Sequence, residues 1–133
     1  MHIERDLTRD ELEHLHGKCH LVAIALHRLT GLPLSATLDV DMWTERTVLV
    51  HAYVKNGDLG VDVRGQFDIE TISDEFEVND HWDVMDIPEE DLMLLGSRRR
   101  AIKENSPSYR KALALAENIV EQLGLPLVHG VKP

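Results

Sequence analysis

The run Val50-His51-Ala52-Tyr53-Val54-Lys55-Asn56-Gly57-Asp58-Leu59-Gly60-Val61-Asp62-Val63 decides how this chain is read. Two segments rich in β-branched and aromatic residues flank Asn56-Gly57, a dipeptide strongly favoured in two-residue hairpin turns. A turn centred there predicts Val54 opposite Leu59, Ala52 opposite Val61, and His51 directly opposite Asp62. Val50, Ala52 and Val54 then share a face with Leu59, Val61 and Val63, while His51 and Asp62 share the other. A three-residue loop, Asn56-Gly57-Asp58, would move Asp62 to the wrong face unless a bulge restored the phase. The Asn-Gly preference and the continuity of the apolar face both favour the two-residue turn.

Working outward, the first hairpin strand extends over Arg46 to Lys55, and a less regular strand, interrupted by Asp39 and Asp41, is expected from Leu34 to Trp43. Before it, Cys19 to Thr30 is an apolar segment stopped by Gly31-Leu32-Pro33, as expected of a buried central helix. Leu7-Thr8-Arg9-Asp10-Glu11-Leu12 marks an earlier, short helix. Thr8 is its N-cap, Glu11 completes a capping box, and Leu7 with Leu12 forms a hydrophobic staple.

Past Gly65, Phe67, Ile69, Ile72 and Phe76 suggest a short amphipathic helix, and Val78 to Asp86, with His81, Trp82 and Asp83, an irregular loop. Pro88 opens another helix whose first acids, Glu89, Glu90 and Asp91, suit a helix N-terminus. Ser106-Pro107 starts the last, with Ala112, Leu113, Ala116, Ile119, Val120 and Leu123 at helical spacing and Gly124 ending it. The expected class is α+β: N-terminal helices packed on a small antiparallel sheet, with additional C-terminal helices. One domain accounts for residues 1–133, with a core over 17–65, an acidic loop and helical segment over 66–124, and an extended, partly disordered tail over 125–133.

The 133 residues are 43% hydrophobic and 29% charged, with a net charge of -10. That balance disfavours a nucleic-acid partner held by phosphate contacts. Arg98-Arg99-Arg100 with Lys103 is flanked by Glu89, Glu90, Asp91 and Glu104, and reads as a solvated helix face. No apolar stretch approaches the roughly 18 residues of a membrane span, and the N-terminus lacks the apolar core of a secretory signal. One cysteine, Cys19, cannot form an internal disulfide. A cytoplasmic setting is expected, with secretion by a signal-less route left open.

Gly17-Lys18-Cys19 opening an apolar helix, His51-Ala52-Tyr53-Val54 in a strand and Val61-Asp62 in the next together resemble the core of the transglutaminase-like and papain-like cysteine enzymes. The resemblance covers residues 17 to 65. It implies a Cys19, His51, Asp62 triad in the order of the transglutaminase-like branch, and a papain-like or transglutaminase-like core fold. Members often carry Asp-Pro-Thr where this chain has Asp62-Val63-Arg64. Residues 1–18 offer no Gln or Asn as a side-chain oxyanion donor, which leaves the backbone N–H of Cys19, or His20 or Trp43; Tyr53 is a further candidate substrate contact.

The chemistry implied is covalent and needs no cofactor or metal. The Cys19 thiolate, favoured at a helix N-terminus, attacks a carboxamide or thioester carbonyl; His51 moves the proton; Asp62 orients the imidazole. Hydrolysis would make the protein a thiol protease or deamidase, and amine capture a crosslinking acyltransferase. A peptide or protein is the expected substrate, because short strand connections leave little material for a deep specificity pocket. Taken singly, Cys19 reads as a core hydrophobe, His51 as a strand histidine and Asp62 as a surface acid. The combination carries the case, since an aspartate between Val61 and Val63 is otherwise a poor choice for a strand. Two other readings stand beside it. His14, His16, Cys19 and His20 offer zinc ligands at an unusual spacing, and the acidic stretch Asp68 to Asp91 suits an inhibitor or immunity-type binding module facing a basic partner.

Overall fold

The computed structural model describes residues 7–15, 17–76, 78, 82–99 and 101–128. Helix α1 spans Arg9–Leu15 and α2 spans Cys19–Thr30. The capping box forms at Thr8: its N–H donates to Glu11 Oε1 at 2.8 Å, and the Glu11 N–H donates back to Thr8 Oγ1 at 3.1 Å. The expected staple does not bury Leu12, which is 46% exposed; Leu7 packs against the core instead.

Helix α2 is the centre of the molecule. Leu21 through Leu26 are all buried, so the helix has no solvent face there. Gly31 ends it in the left-handed conformation and donates its N–H to the His27 carbonyl at 2.8 Å. Strands β1 (Leu34–Val40), β2 (Thr47–Asn56), β3 (Leu59–Asp62), β4 (Gly65–Asp68) and β5 (Asp83–Asp86) form one antiparallel sheet in the order β4-β3-β2-β1-β5. A single 3₁₀ turn, Ile69–Thr71, leads into α3 (Ile72–Glu75); α4 is Glu89–Ser97 and α5 is Pro107–Leu123. Helix α2 packs against α5 and against the sheet. Tyr109, Ala112, Ala116, Ile119 and Val120 supply the buried stripe of α5.

The hairpin register differs from the expected one. Asn56 pairs with Leu59 and Val54 with Val61, so the turn is Gly57-Asp58 rather than Asn56-Gly57. Gly57 has φ 66° while neither Asn56 nor Asp58 is left-handed, which is the requirement of a type II′ turn with glycine at its first central position. The pairing has slid by two residues, so the facing of every side chain survives. His51 and Asp62 are therefore on the same face but are not directly opposite; the β2–β3 ladder ends at Val54 and Val61.

A second departure lies beside His51. Strand β1 pairs Thr37 with His51 but Leu38 with Leu49, leaving Val50 as the extra residue of a β-bulge. Alternation breaks there. Leu49 packs with the main core, and Val50 with Tyr53, Phe67 and Ile72 in a smaller cluster on the other side of the sheet.

Phe67 lies in a strand, not the expected helix. Val63-Arg64 forms a two-residue turn that returns the chain as β4, and helical structure begins only where the Asp68 side chain accepts the Glu70 N–H at 3.1 Å. The expected loop before Asp86 contains β5, which covers the edge of β1; His81 lies outside the described residues. Strand β1 stops at Val40, since Asp41 Oδ1 accepts the N–H groups of Trp43 and Thr44 and turns the chain. Leu125 is buried and the Val128 N–H donates to the Leu29 carbonyl at 2.9 Å, so the tail is docked through residue 128. One apolar cluster joins Leu15 to Leu125 and draws on α4 and α5 as well as residues 17–65.

Candidate active site

Cys19 is the first residue of α2. Lys18 precedes it as an N-cap without a side-chain cap, and the first turn holds no acid. The orphan N–H groups of that turn and the positive end of the helix dipole therefore surround the sulfur without a competing carboxylate. The side chain is 3% exposed.

His51 is fully buried. The bulge at Val50 sets its aim, and Phe76 stacks on its ring at 4.9 Å between centroids with a 25° interplanar angle. Its Nε2 meets Asp62 Oδ2 at 2.7 Å. Nδ1 closes no hydrogen bond of good geometry, and Cys19 is near enough to shift the imidazole's protonation. Burial pulls the His51 pKa down; the hydrogen bond to Asp62, the Cys19 thiol and the charges of both outweigh it and set the pKa at about 9.

Asp62 is held from two sides. Besides His51, it receives Arg64 Nη2 at 2.9 Å, Arg64 Nε at 3.2 Å and the Arg64 backbone N–H at 2.8 Å. Burial pushes its carboxyl pKa up, but the hydrogen bond and charge of His51, followed by those of Arg64, hold it below the usual carboxylate range. Arg64 reaches on to Glu75, with Nη1 at 3.0 Å from both carboxylate oxygens. Burial lowers its pKa, and the two carboxylates raise it above its ordinary value. The sequence reading missed Arg64, Glu75 and Phe76 as parts of the site. Arg64 could have been suspected from its place two residues after Asp62, on the far side of a two-residue turn.

A cleft of about 550 Å³ opens onto Cys19. The β1–β2 loop and the start of β2 form one wall, and the C-terminal end of α4 the other. Leu49, Leu94 and Leu95 give it an apolar side, while Asp41, Arg46 and Arg98 bring charge of both signs to it. Glu45 (φ 59°) and Arg98 (φ 60°) are the two non-glycine residues with left-handed backbone among the described residues. They flank the cleft on opposite walls, where such backbone is commonly found in functional sites.

The other candidates fall elsewhere. Trp43 is 95% exposed and does not line the Cys19 cleft. Tyr53 is fully buried near His51, its hydroxyl bonded to Thr37 Oγ1 at 2.8 Å and its ring edge-on to Phe67, and it does not line the cleft. Burial raises its hydroxyl pKa to about 12. His20 turns away from the cleft toward Ser97, with which its Nε2 pairs; burial, then the charge of His14, lowers its pKa to about 4. No grouping of three metal-ligating side chains occurs among the described residues. His14 is buried rather than exposed and donates Nδ1–H to the Asp10 carbonyl at 2.8 Å, Cys19 lies near His51, and His16 lies outside the described residues.

No helix among the described residues is long and apolar enough to cross a membrane. No known family, curated protein or solved structure matches the chain.

Proposed function

We propose that the protein is a cysteine-dependent acyl-transfer enzyme, hydrolytic or amine-accepting, with Cys19 as nucleophile, His51 as general base and acid, and Asp62 as the group that orients and charges the imidazole. The observation that carries this reading is the buried 2.7 Å pair of His51 Nε2 and Asp62 Oδ2 beside a cysteine that begins a helix and lines a cleft. The Cys19 thiol loses its proton to solvent and attacks the carbonyl of an amide or thioester beside the His51 imidazolium. The imidazolium gives its proton to the leaving nitrogen or sulfur, and the neutral imidazole then takes one from the water or amine that releases the acyl group. The uncapped N–H groups at the start of α2 offer the oxyanion its donors, which removes the need for Trp43 or His20 in that role. A peptide or protein segment entering between α4 and the β1–β2 loop is the reading's substrate.

The test is alkylation of Cys19 by iodoacetamide as a function of pH in the native protein. A thiolate paired with His51 reacts at pH values well below the ordinary cysteine pKa of about 8.5, and His51→Gln shifts the profile upward. Modification only on unfolding, or a profile unmoved by His51→Gln, refutes the proposal.

A further inference from the structure

A second cavity, of about 360 Å³, adjoins the first and shares Gly17 and Gly96 with it. The starts of α2 and α5 and the end of α4 enclose it. Lys18, Arg99 and Lys103 line it, and no carboxylate does among the described residues. In a chain with 24 acidic and 14 Lys and Arg residues, an acid-free concavity is the reverse of what the average surface offers.

The cations are also available. Arg28, Lys55, Arg64 and Lys111 each face a carboxylate, whereas Arg99 and Lys103, like Arg46 and Arg98 in the neighbouring cleft, form no ion pair among the described residues. Arg98 and Arg99 are exposed, as expected, but lie past the helix rather than on its face: Arg98 caps α4 and Arg99 follows the helix end. Lys18 is shared between Glu13 at 3.6 Å and Ser108 Oγ at 3.2 Å.

The two serine hydroxyls are donors as well. Ser106 Oγ accepts the Tyr109 N–H at 3.1 Å and Ser108 Oγ accepts from Lys18, which leaves both hydroxyl protons to give. His20, 2% exposed, lines the cavity and has a buried Nδ1 with no partner. Neither helix start carries an acid in its first turn, so two positive dipole ends converge on the same space.

We propose that this cavity binds a phosphate group and that the acyl donor delivered to Cys19 carries it. Three cations with additional hydroxyl donors suit a dianion with several acceptor oxygens better than a single carboxylate. Assigning the phosphate to the substrate rests on the cysteine-enzyme reading; the binding itself does not. Gly17 and Gly96 form the floor shared by the two cavities, and a donor lying over them would extend from the phosphate site to the sulfur, with Arg46 and Arg98 beside the reacting end.

Calorimetric titration of the full chain with inorganic phosphate and pyrophosphate, at a constant ionic strength of about 0.15 M, tests the binding. Acetate serves as the carboxylate comparison. Saturable binding that survives Cys19→Ser and weakens by about tenfold or more in Arg99→Glu/Lys103→Glu is the expected result. Both substituted positions are exposed, and circular dichroism checks that the variant is folded. No saturation up to about 10 mM, equal affinity in the charge-reversed variant, or acetate binding as well as phosphate overturns the assignment. In parallel, pyrophosphate should slow iodoacetamide modification of Cys19 in the wild type and not in the charge-reversed variant. Binding that leaves that rate unchanged overturns the link to the substrate. A Cys19 that never alkylates in the native state refutes the enzyme reading and leaves the calorimetric result standing on its own.

Discussion

Raising the pH from 6.5 to 9 should destabilise the protein through a single buried group. The folded-state pKa of His51 is about 9, against an ordinary value of 6.5. Between those values the native chain holds a proton that the unfolded chain has released, so each added pH unit favours unfolding. The contribution is complete below about pH 6.5 and is lost as the pH passes about 9. At about 1.4 kcal/mol per pKa unit, the full effect is about 3 kcal/mol. That is a large part of the 5 to 15 kcal/mol, roughly, that holds a domain folded. Urea denaturation across this pH range measures it. Far-UV circular dichroism is the better probe, because Trp43 is 95% and Trp82 37% exposed, and their fluorescence will respond weakly to unfolding. Cys19→Ser removes the thiol's share of the imidazole's stabilisation, so the slope should fall without vanishing. A stability that stays flat over the range, or the same slope in His51→Gln, refutes the assignment of the linked proton to this imidazole.

Arg64→Met should destabilise the protein by about 3 to 5 kcal/mol, because it removes the cation paired with the buried Asp62 carboxylate; urea midpoints measure this, and a change under about 1 kcal/mol would show that the clamp matters little. Gly96→Ala should cost about 1 to 3 kcal/mol as overpacking, since its Cβ would fall 2.4 Å from His20 Cγ, and a thermal melt unchanged from wild type would contradict that close approach.

The parts of the fold that could be read ahead are those fixed by local chemistry. Helix α2 ends at Gly31 because a left-handed C-cap favours glycine, and α5 begins at Ser106 because its hydroxyl caps the Tyr109 N–H. The strand neighbours His51 and Asp62 were also visible, because two-residue alternation survives a two-residue slide. The position of the turn was not. Asn56-Gly57-Asp58 fits either a type I′ turn at its first two residues or a type II′ turn at its last two, and only the packing of the strands separates them. The Val50 bulge carries no residue-type signal, since valine suits a regular strand equally well. Strand β5 owes its existence to the open edge of β1 rather than to Asp83-Val84-Met85-Asp86 themselves. The Arg64–Glu75 pair joins residues whose proximity depends on the turn, β4 and α3 that intervene.

Glu75, Arg64, Asp62 and His51 form a row of ionisable groups leading from the surface into the interior. Their signs alternate, because His51 holds its proton up to about pH 9. Two carboxylates and two cations leave the row with no net charge, where a net ion would be far more costly to bury. Added salt screens surface charges over a Debye length but reaches such an enclosed row only weakly. The loss of the His51 proton should accordingly be nearly indifferent to ionic strength, even in a chain whose net charge is -10.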